Sequence, residues 1–157
     1  MLVASEARTW ATLMTAVGNF LFHWSNLELQ LRTATEGLSE NGTTRSGGLR
    51  GSFETRLNVW ANLARETPRT EFAGLIDEVC GQALNLKKAR NLIVHGLKEG
   101  ASGNSDDDTF IICAEGGYDN PTGETVRYSL AELKHLTQAI DACRRALVDL
   151  RYFNYRL

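Results

Sequence analysis

The chain has 157 residues, 43% of them hydrophobic and 23% charged, with a formal net charge of −2. That length and balance suit a single domain over residues 1–157 and exclude whole-chain disorder. A charge so close to neutral excludes a general basic field, so any nucleic acid must be held by a local patch.

The opening residues, Met1 to Glu6, show no basic stretch followed by an apolar run, so no secretory leader is expected. No apolar run approaches the roughly 18 residues that a bilayer span needs, and no membrane partner is expected. Cys80, Cys113 and Cys143 are scattered, without a CxxC pair. Such spacing suits reduced thiols and points to the cytoplasm.

A first helix is expected from about Arg8 to Leu38. Trp10, Leu13, Val17, Phe20, Trp24, Leu27 and Leu31 alternate steps of three and four, which draws one stripe down a helix. Ser39 to Gly51 turns to Asn, Gly, Thr and Ser, which is loop chemistry. A second helix carries Phe53, Leu57, Trp60 and Ala64. Thr67-Pro68 reads as the start of a third helix, threonine capping and proline in the first turn. Its stripe is Phe72, Ile76, Val79, Ala83, Leu86 and Ile93, and it should fail near Gly96 to Gly100. The three tryptophans, Trp10, Trp24 and Trp60, fall on these seams and are expected in the core.

Ala101 to Asp108 reads as a polar loop. Thr109-Phe110-Ile111-Ile112-Cys113 is β-branched and aromatic and predicts a strand. Asp119-Asn120-Pro121 marks a turn, and Glu124 to Tyr128 returns as the partner strand. Ser129 and Glu132 form a capping box for a fourth helix with Leu133, Leu136, Ile140, Cys143, Leu147 and Leu150 in register. The whole predicts a mainly all-α fold: an up-and-down four-helix bundle with a small β-hairpin, at about 109–128, between the third and fourth helices.

One residue breaks this pattern. The third-helix seam next meets Arg90, where an apolar residue is called for. A guanidinium there is costly without a partner, and Glu28, beside the first-helix seam, is the expected one. Asn91 and His95 are four residues apart and share a helix face with Lys88. Arg90 and His95 stand about 140° apart around an ideal helix, so they meet only if the helix loosens near Gly96 or a ligand lies between them.

Arg90-Asn91 with His95 following, late in a helix of a small helical bundle, resembles the HEPN superfamily and its Arg-x4-6-His motif. The run Trp24-Ser25-Asn26-Leu27-Glu28-Leu29-Gln30-Leu31 is similar to the aromatic and acidic signature of bacterial HEPN-like proteins. The likeness covers the helical frame and leaves out the hairpin. It implies a metal-independent endoribonuclease acting as a homodimer, with Arg90 and His95 as the catalytic pair and Asn91 and Glu28 in support. It also implies RNA as a partner, and a toxin or defence setting with a cognate antitoxin or partner protein. The chemistry is coherent: a histidine suits removal of the ribose 2′-OH proton near neutral pH, and an arginine suits charge developing on phosphate.

Other readings stand beside this one. Arg90, Asn91 and His95 are equally read as a polar network joining helices, or as a non-catalytic module for RNA, a nucleotide or a protein. Lys87, Lys88 and Lys98 are either an RNA footprint or a solvated helix face, the commoner case. His23 and His135 are expected at the surface. No HExxH, phosphate loop or nucleophile elbow is present, so neither metal nor cofactor is expected.

Overall fold

Along the chain, the computed structural model describes residues 2–39, 50–66, 70–116 and 123–154. Four α-helices hold most of these residues: α1 (Leu2–Leu38), α2 (Phe53–Arg65), α3 (Ala73–Gly96) and α4 (Leu130–Asn154). A short 3₁₀ turn, Thr70–Phe72, leads into α3. The mainly α character matches the periodicity. Most of the Ser39–Gly51 loop, the Thr67-Pro68 helix start and the Asp119-Asn120-Pro121 turn lie outside the described residues. No helix among the described residues is long and apolar enough to cross a membrane.

Helix boundaries follow local chemistry. α1 starts at Leu2 rather than near Arg8, because Ala4, Glu6 and Ala7 are strong helix formers outside the apolar stripe. At α2, Ser52 has an extended backbone and its Oγ accepts from the Thr55 amide at 3.2 Å. The capping box of α4 closes in both directions: the Ser129 amide donates to Glu132 Oε2 at 2.7 Å, and the Glu132 amide to Ser129 Oγ at 3.1 Å.

The β structure corrects the expected hairpin. Three strands, β1 (Leu97–Ala101), β2 (Phe110–Ala114) and β3 (Thr125–Ser129), form an antiparallel sheet in the order β1-β2-β3. β2 pairs with β3 from Phe110↔Ser129 to Ala114↔Thr125, the pairing the sequence announces. β1 was expected as a helix end and loop. It pairs Leu97↔Cys113 and Glu99↔Ile112, with a bulge at Lys98. Glycine explains how β1 follows α3 so directly. A Cβ on Gly96 would run into the Ala114 carbonyl oxygen, and one on Gly100 would strike the Trp10 ring and Leu13.

The chain divides into two compact units, and α1, α3 and α4 contribute residues to both. The first comprises residues 1–24 and 86–139. Its core gathers Leu13, Phe20, Ile93, Ile111, Cys113 and Leu133, each no more than 2% exposed. Trp10 does not join it. At 43% exposure its ring covers Gly100 from outside rather than filling the core. The second unit comprises residues 25–85 and 140–157. Leu27, Leu31, Leu57, Trp60, Val79 and Leu147 are buried there, drawn from all four helices.

Candidate functional site

The site expected around Arg90 lies in the first unit, on the last turns of α3. The helix does not loosen before Gly96, so the face relations of an ideal helix hold. Arg90 is half-buried, on the line of Leu86 and Ile93, where the apolar pattern places it. Its Nη1 donates to Asn91 Oδ1 at 3.1 Å. Its Nε is buried and has no hydrogen-bond partner among the described residues. No carboxylate pairs with Arg90 among the described residues.

The expected Arg90–Glu28 pair is not formed. Glu28 belongs to the second unit and accepts from Arg56 Nη2 at 3.0 Å. Arg56 lies between Phe53 and Leu57, beside α2's buried stripe, and holds the carboxylate. Arg56 was not foreseen as a site residue. Its signal was available, since a cation flanked by buried positions at 53 and 57 needs a counter-charge.

His95 is exposed in the last turn of α3. Lys88, Asn91 and His95 recur at three and four residues and share a face, as expected; Lys88 is exposed and Asn91 half-buried. Lys87 is half-buried and has an interaction of its own. Lys98 is exposed, at the bulge of β1. His135 is exposed as expected, whereas His23 is half-buried and meets the Phe22 ring edge-on at 5.7 Å.

Asn91 links the two faces of this segment. It lies about 100° from Arg90 and about 40° from His95 around the helix axis. Its amide accepts from Arg90 while its own position falls on the face that carries His95. The bond is charge-assisted, yet the acceptor is neutral, so the positive charge stays uncompensated. A half-buried cation in that state favours an anionic guest.

The acidic run after β1 is engaged elsewhere. Asp106 forms an ion pair with Lys134 at the start of α4, and Asp108 Oδ2 accepts from Ser105 Oγ at 2.9 Å. Burial pushes the Cys113 thiol up to about 11 and the Cys143 thiol up to about 12, and it raises Cys80 as well. These groups are protonated at neutral pH, which makes them poor nucleophiles. Among the described residues, no group of three or more His, Cys, Asp or Glu is placed to hold a metal ion.

Comparison of the chain with protein-family models, with curated proteins and with solved structures yields no match.

Proposed function

We propose that the chain is a HEPN-like, metal-independent endoribonuclease, a four-helix bundle that works in the cytoplasm as a homodimer. The observation that carries this reading is the half-buried Arg90 guanidinium, held by the neutral amide of Asn91, a residue that shares a helix face with the exposed His95. In this reading Arg90 binds the scissile phosphate. His95 takes the proton from the ribose 2′-OH, whose oxygen attacks phosphorus. The P–O5′ bond breaks, leaving a 2′,3′-cyclic phosphate and a 5′-hydroxyl. The proton for the leaving oxygen comes from the second subunit's copy of the same histidine, brought by two-fold symmetry. Lys88 and Lys98 steer flanking phosphates, with Lys87 as a weaker contributor because it is already engaged.

The test is cleavage of a mixed-sequence RNA in EDTA. Wild type is expected to cut and to leave cyclic phosphate ends, while folded His95→Ala and Arg90→Ala lose the activity. No cutting by wild type, or equal cutting by all three, overturns the catalytic assignment.

A second reading rests on a different observation: Arg90 and His95 stand about 140° apart on an unbroken helix. It is a non-catalytic module in which Arg90 receives an anionic group of RNA, a nucleotide or a protein such as an antitoxin. RNA binding that survives His95→Ala and is lost in Arg90→Ala, without any cleavage, selects this reading.

A further inference from the structure

A groove of about 550 Å³ runs between α1 and α4 within the first unit, open to solvent along its length. That volume is typical of small-molecule sites. The α1 wall is Arg8, Ala11, Thr12, Thr15, Ala16 and Asn19, a single face by its three-four spacing. Leu130, Leu133, Thr137 and Gln138 line the α4 side, together with Lys134.

The threonines make this wall more apolar than its composition suggests. Thr12 Oγ1 donates to the Arg8 carbonyl at 3.0 Å, Thr15 Oγ1 to Ala11 at 2.8 Å and Thr137 Oγ1 to Leu133 at 2.9 Å. Each hydroxyl proton is spent on its own helix, so the middle of the groove offers methyl groups and no hydroxyl donor. The remaining donors are Arg8 and Lys134 on one side and the amides of Asn19 and Gln138 on the other, and among the described residues no carboxylate lines the groove.

Both cations stand at one end. Thr9 of α1 bonds to Ser102 at 3.0 Å, and the first amide of α4, Leu130, donates to the Thr109 carbonyl at 2.7 Å. The segment 102–109 therefore anchors the N-terminal ends of both helices, where Arg8 and Lys134 lie. Lys134 is already paired with Asp106. The Arg8 guanidinium has no partner among the described residues. From Arg8 the groove extends to Asn19, about 16 Å along α1.

We propose that this groove binds an acyl-chain carboxylate, its head on Arg8 and its chain lying over Ala11, Thr15 and Leu133 toward Asn19. One free cation matches a single negative charge, and the planar guanidinium matches a carboxylate in bidentate fashion. A doubly charged phosphate would be left partly unbalanced beside Asp106. A nucleobase would find no aromatic ring to stack on among the lining residues. The site is separate from Arg90 and stands whether or not the chain cuts RNA.

The experiment is calorimetric titration of the full chain with decanoate below its micelle-forming concentration. Saturable one-to-one binding is expected, weakened about tenfold or more in Arg8→Gln. It should vanish in Ala11→Trp, whose indole fills the groove. Both positions are exposed, so the variants should melt with the wild type. Decanol should bind at least about tenfold more weakly than decanoate, and inorganic phosphate should give no heat. Non-saturating uptake of decanoate overturns the proposal. So does affinity unchanged in both variants, or equal binding of decanol.

Discussion

Two arginines sit in similar surroundings in the two units and meet different fates. Arg56, in the second unit, and Arg90, in the first, are both half-buried and both keep a buried Nε without a partner. Arg56 is neutralised by Glu28 at 3.0 Å, whereas among the described residues Arg90 bonds only the amide of Asn91, at 3.1 Å. The first is a closed structural pair. The second orients a charge without cancelling it, which is the state a phosphate-binding group requires. Half-burial alone therefore does not set a cation's state; the charge of its partner does.

The largest effect that could break this comparison is on RNA cleavage. Arg90→Ala should lower the cleavage rate about a hundredfold or more, while folded Arg56→Ala retains it. Equal losses in the two variants would mean that both arginines serve structure.

The comparison also assumes that α3 ends where it does. Gly96→Ala should cost about 2 kcal/mol in urea unfolding, because the new methyl meets backbone at Ala114 that cannot swing aside. A neutral result would show that the α3–β1 junction tolerates movement.

The stability of the arginine variants sharpens the contrast in the reverse order from activity. Arg56→Ala strands the half-buried Glu28 carboxylate and should cost about 1–2 kcal/mol, discounted for its partial exposure. Arg90→Ala strands only a neutral amide and should cost about half as much or less. Urea midpoints of the two variants at constant slope measure the difference.

The smallest effect is on pH dependence, which samples each unit separately. Burial holds the Cys113 thiol up at about 11 in the first unit and the Cys143 thiol up at about 12 in the second, against an ordinary value near 9. The folded state then binds more protons than the unfolded one above about pH 9, so stability falls as pH rises through that range. Urea midpoints at pH 8 and pH 10 should show the decline, and Cys143→Ala and Cys113→Ala should each flatten it. A slope unchanged in both variants would refute the assignment.

Much of the helical frame was legible because helix signals are local. The alternating stripe of Leu13, Val17, Phe20, Trp24, Leu27 and Leu31 is buried throughout, and Ser129 with Glu132 forms the box that their spacing announces. β2 and β3 were legible from β-branched content. β1 was not. Leu97-Lys98-Glu99-Gly100-Ala101 has no alternation, and it becomes a strand because β2 offers a free edge and Gly96 and Gly100 permit close approach. Within the candidate site, the Arg90 anomaly and the shared face of Asn91 and His95 could be read from spacing. The partners of Arg90 and Glu28 could not, since helix periodicity carries no information on which residues of other helices a side chain meets.

By itself, then, the sequence determined that four helices and two of the strands form, which residues make most of the buried stripes, and where one cation interrupts the apolar line. Those properties depend on neighbours within a few residues. Only the tertiary structure decided that Trp10 stays at the surface over Gly100, that Glu28 is taken by Arg56, and that Arg90 meets an amide and not a carboxylate. It alone set Arg8 and Lys134 at one end of a groove walled by methyl groups. Burial, counter-charge and cavity shape arise from groups far apart in the chain, and they exist only once packing brings those groups together.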